Sequence, residues 1–142
     1  MKKFLKLILK IIISIIVLFL IVLIIYQIVP SPSRTVRYFF TYLMDENYNK
    51  AYQLIDGEYK ISRGSLEKFT IDYREAVRSG TRTKKITIER VKKTDNRNQR
   101  IVDVVVRILY QGGLVDTNGS YLLEKIPNKG WRIVKNVSSE RK

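Results

Sequence analysis

The residues that this chain lacks restrict its chemistry more than the residues it contains. Its 142 amino acids include no cysteine and no histidine. Without cysteine there is no disulfide, no thiolate metal site and no thiol nucleophile. Histidine is the most common metal ligand and the most common general base near neutral pH. The composition therefore predicts a protein that is not an enzyme and that holds neither a metal nor a cofactor.

Two carboxylates are left as candidates for acid–base chemistry, Asp72 and Asp103. Asp103 would be a general base if it faced the interior of the protein. However, it alternates with Val102 and Val104 along an apolar strand, which places it on the same side as Arg107. A cross-strand ion pair is therefore the expected role of Asp103, and an enzyme that uses either carboxylate is an alternative.

Aromatic side chains recur at the spacing of a hydrophobic core, and some of them could instead line a ligand pocket. The sequence alone allows both roles, because the same apolar periodicity buries a side chain or places it beside a cavity. The candidates for pocket lining are Phe39, Tyr52, Phe69, Tyr73, Tyr110 and Trp131.

The charge of the chain is strongly positive, with 27 lysines and arginines against 13 acidic residues. Such a surface favours anionic lipid or an anionic envelope polymer as a partner, although a basic stretch can also be a solubilising surface. Nucleic acid is not expected, because the aromatic residues stand at core spacing rather than interleaved with the charges. The densest basic stretch contains Arg82, Lys84, Lys85, Arg90, Lys92, Lys93, Arg97 and Arg100.

An uncharged apolar segment covers residues 11–29 and follows four lysines in the first ten residues. These 19 residues would span roughly 28 Å as a helix, close to the hydrocarbon thickness of a bilayer. The lysines predict a cytoplasmic N-terminus and a C-terminal domain outside the cell membrane. A cleaved signal peptide is the alternative, but the apolar run exceeds the usual length of its hydrophobic region. Residues 1–29 are therefore predicted to be a tail and a single-pass anchor.

The remainder divides into a linker at residues 30–33, a domain at residues 34–138 and a short tail at residues 139–142. Apolar residues recur every three or four positions after Ser33, again over residues 49–55, and once more between Ser65 and Gly80. These stripes predict three helices. The pair Asp56-Gly57 is interpreted as the end of the second helix.

After Gly80 the apolar period changes from about 3.6 residues to 2, which predicts strands. Turn residues at Gly112-Gly113, at Asn118-Gly119 and at residues 127–130 separate them, and residues 92–98 are expected to form a hairpin loop. The predicted fold class is α+β, with an N-terminal transmembrane helix and about three helices packed on a curved antiparallel sheet of about four strands.

Two stretches resemble the nuclear transport factor 2-like (NTF2-like) superfamily. One is VRYFFTYL at residues 36–43 followed by ENYNKAY at residues 46–52, and the other is YLLEK at residues 121–125 with GWRI at residues 130–133. The chain looks most like small membrane-anchored bacterial domains of unknown function in that superfamily, and more loosely like scaffold proteins of conjugation and type IV secretion. The resemblance implies a cone-like sheet wrapped around the helices.

Enzymes of that superfamily keep an acid–base pair, often aspartate and histidine, inside the cone. The pair cannot be present here because the chain has no histidine. The sequence therefore predicts a membrane-tethered, extracytoplasmic binding module for a protein partner or an anionic envelope polymer. A scaffold subunit of an envelope-spanning assembly, with a homodimer as its unit, is the alternative, and a small-ligand-binding protein or carboxylate-dependent enzyme is the second.

Overall fold

The computed structural model describes residues 2–28 and 30–138, and the chain divides after Pro30 into two units. Residue 29 and the predicted tail at residues 139–142 lie outside the described residues. The second unit is called the globular domain below. Its first helix begins within the segment that the sequence predicted to be a linker.

In its described residues, the first unit contains one helix, α1 (Lys2–Ile28). Large apolar side chains are exposed along it from Ile11 to Leu23. Among the residues described with their side chains, no helix combines the length and the apolar character needed to cross a bilayer.

Helix α2 (Pro32–Met44) opens the globular domain, and Ser31 caps it by accepting a hydrogen bond from the Arg34 amide. Proline suits this first position because the amide it lacks would have no partner inside the helix. The buried face of α2 carries Val36, Phe39 and Leu43, which is the stripe that the sequence predicted. The helix begins two residues before the predicted domain boundary, since Ser31 rather than Ser33 is the cap.

Three further helices follow, α3 (Tyr48–Gln53), α4 (Gly57–Arg63) and α5 (Leu66–Arg78). Ser65 caps α5, and Gly80 follows its last turn with a φ of 88°. Both ends of this helix confirm the prediction. Helix α4 was not predicted, so in its described residues the globular domain has four helices rather than three.

The pair Asp56-Gly57 begins α4, whereas α3 ends earlier, at Gln53. The Asp56 carboxylate accepts a hydrogen bond from the Gly57 amide at 2.9 Å, and Gly57 has a φ of 55°. Glycine adopts this left-handed conformation without the steric penalty that other residues pay. The chain can therefore reverse direction at Gly57 and start a new helix immediately.

The strands β1 (Arg82–Lys93), β2 (Gln99–Tyr110), β3 (Gly113–Ile126) and β4 (Gly130–Asn136) form an antiparallel meander in sequence order. The predicted turns after β2 and after β3 are confirmed. The predicted turn at Asn118-Gly119 is wrong, because both residues pair with β2 inside β3. A Cβ at Gly119 would lie 3.2 Å from the side chains of Val104 and Tyr121, so this glycine gives room for packing rather than for a turn.

The helices of the globular domain pack on one face of its sheet, which confirms the α+β class. Two irregularities in the β1–β2 register, between Thr83 and Lys85 and between Ile88 and Arg90, interrupt the first strand, and such bulges bend and twist a sheet. An isolated parallel bridge between Ile55 and Ile133 ties the α3–α4 junction to β4. The largest fully buried side chains are Phe39, Phe69, Ile55, Leu123, Ile133, Val36, Val102 and Val104.

Candidate ligand-binding cavity and basic surface

A cavity of about 440 Å³ lies between the ends of α2 and α5 and the helix-facing side of the sheet. It is called the mouth cavity below. The core is dense around Val102 and Leu123, which are fully buried. Further along β2, Val106 and Ile108 line the cavity instead, and Tyr110 at the end of the strand is exposed. The sheet therefore extends beyond the helices that cover it.

Small side chains keep the mouth cavity open. Ala76 lies on α5, Thr81 and Thr83 lie at the start of the sheet, and Thr117 and Gly119 lie on β3. None of these residues can reach across the gap between α5 and the sheet. The space is in the size range of sites for small molecules.

Aromatic rings form the inner wall of the mouth cavity. Tyr121 makes an edge contact with Phe40 at a ring-centroid distance of 5.7 Å, and Tyr48 stacks with Tyr73 at 6.1 Å. Such contacts hold the rings in defined orientations. The wall can therefore offer an ordered apolar surface to a ligand.

The hydroxyl group of Tyr48 is buried without a hydrogen-bond partner among the described residues, and the whole side chain is only 4% exposed. Buried polar groups are usually paired, because an unpaired one loses its hydrogen bonds to water. Burial first, and then the nearby Glu46 carboxylate, raises the pKa of Tyr48 above its ordinary value. The hydroxyl is thus neutral at physiological pH and can donate one hydrogen bond.

Two further tyrosines of the wall, Tyr73 and Tyr121, also have a raised pKa, mainly because of burial. They remain protonated over the same range. The wall consequently supplies neutral donors and acceptors and no ionised phenolate.

Charged side chains stand at the rim of the mouth cavity. Arg82 and Lys84 come from the start of β1, and Glu46 comes from the turn between α2 and α3. All three are exposed, and none has an ion-pair partner among the residues that the structure describes. The rim therefore carries an excess of positive charge.

Of the six aromatic residues predicted to line a pocket, Tyr73 lies at the mouth cavity. Phe39 and Phe69 are fully buried in the core instead. Tyr52 donates a hydrogen bond to the Gly64 carbonyl at 2.7 Å, while Tyr110 is exposed. Trp131 packs against the core with the Arg100 guanidinium above its ring. These five residues do not line the mouth cavity, because spacing along a helix or strand does not show where the covering element ends.

Both candidate carboxylates lie away from the cavity. Asp103 pairs with Lys92 of the neighbouring strand at 2.5 Å and accepts a hydrogen bond from the Ser120 hydroxyl at 2.6 Å. The cross-strand ion pair predicted for Asp103 is confirmed, although the side chain is more buried than a surface pair would be. Asp72 pairs with Lys68 one turn earlier on α5.

Comparison with known proteins gives evidence about the fold. No model of a known protein family matches the chain, and no curated protein matches it. The crystal structure of a Nostoc punctiforme protein of unknown function with a cystatin-like fold is 11% identical, with a TM-score of 0.51. That match covers 73% of this chain and 84% of the other. By this likeness, the globular domain of the present chain has a cystatin-like fold.

Two weaker likenesses involve a second Nostoc punctiforme domain and a Campylobacter jejuni protein. The Nostoc domain, also of unknown function with a cystatin-like fold, is 18% identical, covers 74% of each chain and has a TM-score of 0.49. The NTF2-like protein from Campylobacter jejuni is 20% identical, covers 75% of this chain and 99% of its own, and has a TM-score of 0.46. The fold assignment rests on the first structure alone.

The predicted basic stretch covers β1, the β1–β2 loop and the start of β2 of the cystatin-like domain. Six members are exposed and have no ion-pair partner within the described part of the chain: Arg82, Lys84, Lys85, Arg90, Lys93 and Arg97. Lys92 is half-buried in its pair with Asp103, and Arg100 is half-buried beside Trp131. Lys92 and Lys93 belong to β1, so the predicted loop contains only residues 94–98.

Proposed function

We propose that this protein is a membrane-tethered, non-enzymatic binding module that holds a small amphipathic anion in the mouth cavity. The observation that carries the proposal is the buried Tyr48 hydroxyl, which lacks a partner among the described residues and belongs to a residue that lines the cavity. A ligand acceptor at this position would restore the hydrogen bond that burial removed.

The shape and charge of the site define the class of ligand. The apolar part would lie against Tyr73 and Tyr121, and the acidic head group would meet Arg82 and Lys84 at the rim. Arginine and lysine side chains bind carboxylate and phosphate groups through charge-assisted hydrogen bonds. A carboxylate or phosphate ester with an apolar body fits this arrangement.

The chemistry of the tyrosine wall supports binding rather than catalysis. A general base needs a pKa near the working pH, whereas burial raises the pKa of Tyr48, Tyr73 and Tyr121. The candidate carboxylates Asp72 and Asp103 are engaged in ion pairs elsewhere. The chain has no histidine or cysteine to take their place.

The tether is proposed from the uncharged apolar segment at residues 11–29 and the lysines before it. Exposed apolar side chains along α1 support an environment of lipid, because a helix that is apolar on all sides has no face suited to water. The asymmetry of charge supports a cytoplasmic N-terminus and a globular domain outside. Membership of the NTF2-like superfamily is proposed from the two sequence stretches and is supported by the cystatin-like fold.

The binding proposal can be tested with two fluorescent probes that share the same rings. Anilinonaphthalene sulfonate carries an acidic group, and N-phenyl-1-naphthylamine does not. Residues 31–142, prepared as a soluble protein, should bind both probes. Replacing Arg82 and Lys84 with alanine should weaken the sulfonate about fivefold, the scale of an exposed ion pair, and leave the neutral probe unchanged.

A second variant tests the location. Ala76→Trp should fill the mouth cavity and remove binding of both probes, while Ile61→Trp on the exposed side of α4 should not. Near-UV circular dichroism and thermal unfolding would establish that both variants are folded. Equal binding by folded Ala76→Trp would contradict the proposed site.

The protein partner, the anionic envelope polymer and the scaffold assembly stay predictions from the sequence. The exposed cations of β1 are compatible with a polymer.

A further inference from the structure

Large apolar side chains are exposed at the tip of the β2–β3 hairpin. Tyr110, Leu114 and Val115 are 52%, 63% and 47% exposed. The strand register places Tyr110 opposite Gly113, and Leu114 opposite Leu109. Because side chains alternate along a strand, Leu114 lies on the opposite face from Tyr110 and Val115. These three residues, called the hairpin tip below, therefore expose apolar side chains on both faces of this end of the sheet.

The turn that closes the hairpin is tight. Gln111 and Gly112 have φ values of 48° and 80°, and two consecutive left-handed residues are typical of a type I′ turn. This turn matches the twist of the strands that it joins, so the hairpin tip is held firmly at the end of the sheet.

A group of positive charges on β1, called the collar below, lies beside the hairpin tip. Arg82 pairs in register with Leu109, Lys85 pairs with Arg107, and Lys84 lies between them on β1. Arg107 in turn binds the nearby Asp116 carboxylate through two hydrogen bonds at 2.7 and 2.8 Å. Because Asp116 is neutralised in this way, the collar keeps the net charge of Arg82, Lys84 and Lys85.

We infer that the hairpin tip docks into the head-group layer of a bilayer that contains anionic lipids. Tyrosine and leucine side chains partition into this layer, and nearby lysines and arginines are attracted to an anionic surface. The inference rests on the membrane tether of the proposed function. A tethered domain is already at high local concentration at the surface, so a weak contact is sufficient.

A second copy of the chain is a poorer occupant. A stable interface buries about 800 Å² on each partner, much more than three partly exposed side chains provide. A symmetric pair would also bring two positive collars together, and like charges oppose such a contact. An anionic lipid surface complements both the apolar tip and its charge.

The absence of cysteine makes the test direct, since one introduced cysteine can be labelled selectively. Full-length Leu114→Cys would carry an environment-sensitive nitrobenzoxadiazole label and be reconstituted into vesicles of phosphatidylcholine with or without phosphatidylglycerol. Ile61→Cys is the matched control, because Ile61 is an apolar residue that is 82% exposed on α4. Flotation of the vesicles would first establish that the chain is anchored.

The label at position 114 should shift to the blue and be quenched by spin-labelled lipid in the anionic vesicles, and salt should reduce both effects. The label at position 61 should keep the emission of a water-exposed label, without quenching, in both kinds of vesicle. Lys85→Glu should reduce quenching at position 114 several-fold. The same charge change at the exposed Lys125, toward the other end of β3, should not.

Three results would overturn the inference. If the chain floats with the vesicles but the label at position 114 stays exposed to water, the result excludes docking and supports the tether. If quenching increases with the amount of protein per vesicle and does not depend on the content of anionic lipid, the hairpin tip contacts a second copy of the chain instead of the bilayer. A chain that does not float removes the tether, and the docking inference falls with it.

Discussion

Tyr48 and Tyr52 show how the same side chain has different consequences at two neighbouring positions. The Tyr52 hydroxyl donates to the Gly64 carbonyl at 2.7 Å, whereas the buried Tyr48 hydroxyl has no partner in the part of the chain that the structure describes. A buried hydroxyl without a hydrogen-bond partner lowers the free energy of unfolding. A buried hydroxyl that forms a hydrogen bond between two elements raises it.

The substitution Tyr48→Phe should therefore raise the free energy of unfolding by about 1 kcal/mol, because it removes an unpaired polar group. It should also weaken binding of the anionic probe. Tyr52→Phe should lower the free energy of unfolding by about 1 kcal/mol through the loss of a hydrogen bond. Urea unfolding of both variants measures the difference. Two changes of the same sign would show that the Tyr48 hydroxyl is paired.

Helix α4 depends on residues outside it more than on its own sequence. Asp56 caps its first amide and binds the Lys129 ammonium group at 2.9 Å. The backbone of the same segment pairs with Ile133 of β4 through the Asp56 amide. The helix is thus held by its cap and by the strand beside it.

The substitution Asp56→Ala should lower the free energy of unfolding by about 0.5 to 2 kcal/mol, the usual contribution of a helix cap. The hydrogen bond from Lys129, then that from Gly57, lowers the pKa of Asp56. The stabilisation is therefore present above the pKa of this carboxyl in the unfolded chain, and it is lost as the pH falls through the lower pKa of the folded protein.

Chemical unfolding as a function of pH checks this prediction. The difference between wild type and Asp56→Ala should shrink in acid. Asp95→Ala, in the exposed β1–β2 loop, is the control and should change stability little. A difference that persisted at a pH below the folded pKa would assign the effect to something other than the ionised cap.

At the scale of the whole molecule, the globular domain contains a complete core of its own. The buried apolar cluster runs from Val36 on α2 to Ile133 on β4. The chain also divides after Pro30 into separate units. The core of the globular domain is therefore expected to form without α1.

Residues 31–142 alone should unfold in one cooperative transition, as small single domains do. A shorter piece that begins at residue 37 loses both the Ser31 cap and the fully buried Val36. It should be less stable by at least 2 kcal/mol, from burial of a valine side chain and a helix cap together. Thermal unfolding of the two pieces decides the matter, and equal stability would mean that the start of α2 contributes nothing.

Much of the architecture could be predicted from the sequence because it follows from local periodicity. The stripe on α2, both ends of α5 and the alternation along β2 are each set by residues close together in the chain. The α+β class follows from the change of period after Gly80. The ion pair of Asp103 was also predictable, because alternation along a strand fixes which residues share a face.

The tertiary structure decided the features that depend on distant segments. Asp56-Gly57 begins a helix because β4 pairs with the backbone there, and Asn118-Gly119 lies within a strand because β2 extends far enough to pair with it. The mouth cavity exists because α5 ends before the sheet does. Periodicity determines which side of an element is apolar, but only the lengths and positions of the packed elements determine whether that side is buried, lines a cavity or meets the solvent.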